Sequence, residues 1–351
     1  MKRKSLLIAF FVLALAVFAA ACGGNADNGD QSGAASNNTA NGQETETSES
    51  DAAETSAEEA SETEAGEAEQ PAELVISHQL GETKVKTNPE KVAVFDFGVL
   101  DTLDKLGIEV SAVPQANIPG YLSKYNDAKY VNAGSLKEPD FEALAELQPD
   151  VIFISGRQSS VYEQLSEIAP TIYMGVDTSN YMESFKNNMN IIGQIFGKQE
   201  EIEAELADLD ARIQALNEKL QGQDIKGLIV LTTGGKVSAY GPGSRFGFIH
   251  DVFGVPAADD TIEASTHGMS ISFEYILEKN PDYLFVVDRD AVVQSEGSAP
   301  AKSVIENSLV QNTTAYKEGH IVYLNPEYWY LSGVGLVSLS EMLAEIEQAF
   351  E

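Results

Sequence analysis

From about residue 73 onward, apolar positions fall into short blocks that alternate between two periods. "VAVF" and "VIFI" are continuous apolar runs of strand length, the pattern of strands buried on both faces. "GVLDTLDKLG" instead repeats at helical spacing and stops at Gly107, so 91–107 reads as a strand leading into an amphipathic helix. "IKGLIVLTTGGKVSAYG" (225–241) reads as two strands around a Gly-Gly turn. The longest helical pattern lies between about 180 and 220. Tyr181, Phe185, Met189, Ile192 and Phe196 fall on one face, and "EEIEAELADLDARIQALNEKL" continues beyond Gly197.

The pattern also repeats. "FEALAELQPDVIFISGR" (141–157) and "FEYILEKNPDYLFVVDR" (273–289) align so that Phe141/Phe273, Glu142/Glu274, Pro149/Pro281, Asp150/Asp282 and Arg157/Arg289 each stand 132 residues apart. Each copy reads as a short helix, a Pro-Asp turn, a buried strand and an arginine just past the strand's end. Two such copies imply two similar α/β lobes, 73–179 and 222–351, joined by a long connecting helix over 180–221, with a cleft between them.

The N-terminus follows other rules. Lys2, Arg3 and Lys4 precede an apolar run of sixteen residues, Leu6–Ala21, shorter than the roughly 20 needed to span a bilayer. The order basic, apolar, small is that of an export signal over 1–21, and Cys22, the only cysteine, follows three alanines. Residues 22–72 hold thirteen acids, no Lys or Arg and almost nothing apolar, which predicts a disordered, self-repelling tether.

Charge then narrows the function. The formal charge is −33 over 351 residues, and 73–351 alone carry 42 acids against 19 Lys and Arg. No basic cluster is available to neutralise phosphates, so nucleic acid is an unsuitable partner. After the first four residues only four arginines remain: Arg157, Arg212, Arg245 and Arg289. Arg212 lies in the connector among acids, where an i, i+4 partner on its own helix is expected. The other three follow strands, and two are repeat equivalents. An arginine after a strand is often only a surface ion-pair partner; three in a chain this poor in arginine point to one anion site at the strand ends.

With "GSLKEPDFEALAELQPDVIF", "GPGSRFGFIHDVFG", "ASTHGMSISFEYI" and "YWYLSG" in place, the chain resembles the siderophore-binding proteins of bacterial iron-uptake ABC transporters. Within that group it is most similar to receptors for ferric petrobactin and related catecholates. The resemblance covers essentially all of 74–351. It implies a two-lobed periplasmic-binding-protein fold with a helical backbone, a monomer, and no catalysis or cofactor. Arg157, Arg245 and Arg289 match the arginines that converge on the ferric catecholate. His267 and Tyr328 match the residues that complete the iron shell in relatives taking tetradentate ligands. Trp329 is expected beside the cleft, with Tyr162, Tyr173, Tyr240, Phe246 and Phe248 as further wall candidates; core packing is the alternative for these aromatics. Cys22 resembles the lipidated cysteine of bacterial lipoproteins, which places the protein on the extracytoplasmic face of the cell membrane; a plain secretory leader is the alternative. Glu142 and Glu274 match the glutamates that dock on the permease dimer, although glutamate is also favourable at a helix start.

The residues support that chemistry independently. A ferric tris-catecholate carries a charge of about −3, and arginine supplies a fixed fork of donors, a permanent charge and a flat face for an aromatic ring. Haem, cobalamin, a hydroxamate siderophore or a bare metal are the competing ligands. Four scattered histidines lack metal-ligand spacing, and a neutral hydroxamate complex does not require three arginines. An anchored hydrolase is the competing class, although no Gly-x-Ser-x-Gly or HExxH motif appears; an anchored structural protein is a third. The helical connector predicts that the lobes close by only a few degrees on binding.

Overall fold

The computed structural model describes residues 72–293 and 297–351. The expected leader, the lipidation candidate Cys22 and the tether up to residue 71 lie outside them. An antiparallel hairpin, β1 (Glu73–His78) and β2 (Gly81–Lys86), leads into the first lobe. That lobe runs β3 (Val92–Val94), α1 (Phe97–Lys105), β4 (Ala112–Val113), β5 (Val131–Asn132), α2 (Phe141–Leu147), β6 (Val151–Ile154), α3 (Tyr162–Ser166) and β7 (Thr171–Tyr173). The connector consists of α4 (Tyr181–Phe196) and α5 (Gln199–Leu220). The second lobe runs β8 (Gly227–Thr233), β9 (Lys236–Tyr240), α6 (Phe248–Asp251), β10 (Met269–Ile271), α7 (Phe273–Lys279), β11 (Tyr283–Asp288), α8 (Ala301–Ile305), α9 (Thr314–Glu318), β12 (Ile321–Leu324) and α10 (Leu336–Ala349).

The first sheet is parallel throughout, in the order β5-β4-β3-β6-β7, and its central strands β3 and β6 are entirely buried. The second has the order β10-β9-β8-β11-β12, with β8, β11 and β12 parallel and β9 antiparallel to both its neighbours. The predicted Gly-Gly turn is the cause of that reversal. Gly234 and Gly235 adopt φ of 54° and 72°, the two positive values that a tight hairpin turn requires, and fold β9 back on β8.

The repeat is structural as well as textual. Asp140 caps α2 and Ser272 caps α7. Both helices end in a left-handed residue, Gln148 at φ 54° and Asn280 at φ 40°, immediately before the proline. The following aspartates serve the same purpose in each lobe. Asp150 accepts from the backbone N–H groups of Glu90 and Lys91, ahead of β3, and Asp282 accepts from Lys226 N–H, ahead of β8.

The connector is helical as expected, but in two segments. Gly197 takes φ 64°, which ends α4, and α5 packs back on α4. Arg212 differs from expectation: its guanidinium reaches α10 rather than its own helix. Nε and Nη2 bind the Glu347 carboxylate at 3.3 and 2.7 Å, and Nη1 donates to Ser340 Oγ at 2.7 Å. A local i, i+4 rule cannot anticipate a partner 135 positions away.

The last helix crosses back to the first lobe. α10 packs on α1 as well as α5, and Asp101 on α1 accepts from the N–H groups of Val337 and Ser338 at 3.2 and 3.0 Å, capping its N-terminus. One apolar core therefore runs from Val94 and Phe97 through Phe185 and Leu216 to Leu343 and Phe285. Separate clusters cover the outer face of each sheet.

Candidate functional site

Three parallel strands end on the side where the lobes face each other, and each delivers one component. Past β6 the chain turns into a 3₁₀ stretch, Gly156–Val161, which carries Arg157. That stretch is firmly mounted. Ser155 N–H donates to Gln158 Oε1 at 3.0 Å, and the fully buried Gln158 amide donates to the Leu136 carbonyl. Past β11 a second 3₁₀ stretch opens with Arg289, and Asp288 steadies it by accepting from the N–H groups of Ala291 and Ala301. Past β12 comes a π-helical turn, Glu327–Ser332, containing Tyr330. Arg245 joins from the loop between β9 and α6.

All three arginines meet at Tyr330. Arg157 Nη2 donates to the Tyr330 carbonyl at 2.7 Å, and its Nη1 to the Leu331 carbonyl at 3.2 Å. Arg245 Nη2 donates to the same Tyr330 carbonyl at 2.8 Å. Its guanidinium carbon lies 4.5 Å from the centre of the Tyr330 ring and 5.1 Å from that of Phe246. Arg289 Nε donates to the Tyr330 hydroxyl at 2.8 Å, and its Nη1 to Thr233 Oγ1 at 2.9 Å. Among the described residues, carboxylates lie within salt-bridge distance of only two arginines: Glu347 with Arg212 and, at 3.9 Å, Asp290 with Arg289.

The electrostatics follow from this geometry. Burial and then the neighbouring Arg245 lower the pKa of Arg157, against the through-space pull of Asp96 and Tyr330. Burial alone would raise the Tyr330 phenol, but the Arg289 hydrogen bond and the three nearby positive charges outweigh it and hold the phenol below its usual value. Asp96, which caps α1, is itself pushed up by burial. Three guanidinium groups thus gather at the strand ends of a strongly acidic chain, a local concentration of positive charge that would attract an anion. A cavity of about 140 Å³ opens beside the cluster, and Asn117, Ser135, Lys137, Arg157, Arg289 and Tyr330 are among its lining.

The other expected residues divide. Phe246 and Tyr240 pack edge to face beside Arg245, but at 1% and 3% exposed they are core residues behind it, and neither lines the cavity. His267 is exposed on a loop tied to the Arg245 loop, since Arg245 N–H donates to the Ser265 carbonyl and Ser265 N–H to Ser244 Oγ. Tyr328 turns away from the arginines, and its ring lies 4.8 Å from that of Tyr121 in the first lobe. Trp329 is not a cleft wall: it is 2% exposed, stacks on Phe248 at 5.1 Å and donates Nε1–H to Glu345 at 2.7 Å. Phe248 lies in the same stack, against Tyr181 on its other side. Tyr162 sits edge-on to His78, and neither it nor Tyr173 lines the cavity. The reason for the aromatic swap is the π-helical turn, closed by Gly333 N–H donating to the Tyr328 carbonyl. Consecutive aromatics there point to different sides, and the one aimed at the cleft is Tyr330. Lys137 was also missed, although it stands in "GSLKEPD" only twenty residues before Arg157.

Glu142 and Glu274 occupy matching exposed positions in the first turns of α2 and α7. The backbone at its own N–H, with help from Ser272, holds the Glu274 carboxyl below its usual value. Among the described residues no helix is long and apolar enough to cross a membrane, and no three His, Cys, Asp or Glu gather as a metal site.

Known proteins share this architecture. The petrobactin-binding protein YclQ of Bacillus subtilis is 51% identical over 283 residues, spanning 80% of this chain and 89% of YclQ. Its crystal structure covers 80% of this chain and 99% of its own, with a TM-score of 0.77. The periplasmic catecholate-siderophore binding protein VctP of Vibrio cholerae is 38% identical, covering 79% of this chain and 99% of that one, with a TM-score of 0.75. The ferric-anguibactin-binding protein FatB of Vibrio anguillarum is 31% identical over 289 residues, 80% of this chain and 89% of FatB. The Periplasmic binding protein family matches residues 92–328, two thirds of the sequence and both lobes, and the chain belongs to that family.

Proposed function

We propose that the protein captures an anionic ferric catecholate siderophore of the petrobactin kind in the cleft and delivers it to an ABC permease for iron uptake. One observation carries this reading: three guanidinium groups from two lobes converge on Tyr330, and among the described residues the hydrogen bonds of Arg157 and Arg245 go to main-chain carbonyls. A tris-catecholate complex offers negative charge together with flat rings for guanidinium faces. The names of YclQ and VctP point the same way. Iron arrives as cargo inside its chelator, and neither a cofactor nor a catalytic step belongs to this reading.

Capture requires movement. The cavity of about 140 Å³ is well below the roughly 300 Å³ at which small-molecule pockets begin. The bonds from Arg157 to the Tyr330 and Leu331 carbonyls span the cleft, so the ligand must take them over. The core shared through α4, α5 and α10 favours a small closure. In the same reading Cys22 carries the lipid that holds the protein on the extracytoplasmic face of the membrane. Glu142 and Glu274 dock one lobe each on the two halves of the permease, and a monomer suffices. His267 is positioned to approach a ligand held by Arg245, with direct iron contact open to test by His267→Ala.

The decisive experiment titrates the purified domain with ferric catecholates and, separately, ferric hydroxamates while following Trp329 fluorescence. Trp329 is the only tryptophan and adjoins Tyr330, so it reports on the hub without contributing to it. Sub-micromolar quenching by catecholates alone is expected. Silence toward every ferric chelate sinks the proposal, and equal response to neutral hydroxamates removes the arginines' supposed role in selection.

A further inference from the structure

Tyr330 belongs to none of the three arginine segments, yet it touches all three through its carbonyl, its ring and its hydroxyl. Its carbonyl accepts from both Arg157 and Arg245, its ring lies under the guanidinium of Arg245, and its hydroxyl accepts from Arg289 Nε. The turn that presents it is itself held from both sides. Ser332 Oγ accepts from Tyr121 and donates to the Glu327 carbonyl, and Glu327 accepts from Gly120 N–H. Next to Tyr330, Trp329 is locked into the core by Phe248 and Glu345. The residue is therefore a fixed point between flexible, like-charged side chains that would otherwise spread apart. Two guanidinium groups sharing one carbonyl oxygen are brought close together against their repulsion.

We propose that Tyr330 is the positioning residue of the anion site, holding Arg245 through its ring and Arg289 through its hydroxyl so that both face the ligand on the same side as Arg157. This rests on the reading of the cleft as a ferric catecholate site. The division of labour between ring and hydroxyl follows from distance: Arg245 lies 4.5 Å from the ring centre and Arg289 5.6 Å, while only Arg289 reaches the hydroxyl. Removing the hydroxyl alone frees Arg289 from this contact, while the face beneath Arg245 persists. Removing the ring as well takes the closer aromatic face from Arg245 and leaves it only the Tyr330 carbonyl and the Phe246 ring. Preorganisation of this kind shows in affinity, because a loose arginine must be ordered when the ligand arrives.

The test is a double-mutant cycle on ferric catecholate affinity, with Tyr330→Phe combined in turn with Arg289→Gln and Arg245→Gln. Tyr330→Phe alone should weaken binding roughly tenfold, the order expected for a hydrogen bond to a charged group. In the Arg289→Gln background the same change should cost no more than about twofold, whereas in the Arg245→Gln background the full roughly tenfold loss should remain. Tyr330→Leu should lose roughly a hundredfold, because both supports go. Equal losses in the two backgrounds, or no loss from Tyr330→Phe, overturn the proposal. If the wild-type protein ignores ferric catecholates, the ligand reading fails, and the positioning role is then judged without ligand. Tyrosinate absorbance against pH should show one phenol ionising early, absent in Tyr330→Phe and shifted upward in Arg289→Gln. An unchanged titration in Arg289→Gln overturns it there too.

Discussion

The two lobes are built from one repeated plan, yet their equivalent arginines point in opposite directions. In the first lobe the charges reach across. Arg157 donates to carbonyls of the second lobe, Asp101 caps α10, and the Tyr121 hydroxyl donates to Ser332. In the second, Arg289 stays at home, bonded to Thr233 and Tyr330 of its own lobe. The repeat thus fixes where an arginine stands relative to its strand, and the neighbouring surface decides what it holds. An arginine that spans the cleft has to exchange its partners for the ligand, whereas one that stays within its lobe can add the ligand to bonds it already has.

That contrast can be broken most directly at the arginines. Arg157→Ala should cost about 3–5 kcal/mol of ferric catecholate binding and Arg289→Ala about 2–3, the range for truncating a desolvated charge partner. Titration calorimetry of both variants decides it, and an Arg289→Ala loss equal to or greater than the other refutes the asymmetry. Asp101 gives the next largest effect. Burial raises its carboxyl to about 7, with Ser338, Val337 and Tyr121 pulling it back down. A folded-state value above the unfolded one of about 3.9 means that folding takes up a proton. The contribution is therefore full below about pH 4 and is lost as pH rises toward 7, by an amount of order 2–4 kcal/mol. Urea unfolding at about pH 5 and about pH 8 should show that decline, and Asp101→Asn should flatten it. A slope that survives the substitution assigns the effect elsewhere. The smallest effect compares the paired aspartates. Asp150 accepts two backbone N–H groups where Asp282 accepts one from the equivalent loop, so Asp150→Ala should cost about 1–2 kcal/mol of stability and Asp282→Ala about half that. Equal midpoints in urea would show that the two turns are interchangeable after all.

Much of this was legible in the residues because it depends on local rules. Buried strands announce themselves as apolar runs, the Gly-Gly hairpin by the backbone freedom it needs, and the repeat by the recurrence of helix, Pro-Asp and arginine. The arginines stood out because the chain has so few. What stayed hidden depends on distant partners or on an unusual helical phase. Nothing in "YWYLSG" says that the turn is π-helical, so helical spacing could not choose among Tyr328, Trp329 and Tyr330. Nothing near Arg212 or Asp101 names α10, because that helix returns from the far end of the chain to the first lobe. The break at Gly197 was visible as a glycine, but its left-handed backbone was not.

The acceptors that Arg157 uses across the cleft are main-chain oxygens, and this has a consequence for drift and for acidity alike. A peptide carbonyl has no side chain to exchange and no proton to gain or lose in any habitable pH. Replacements at 330 or 331 can therefore recolour the surface a ligand meets while the main-chain clasp between the lobes persists. Receptors built this way are free to change cargo without first losing the contact between their lobes.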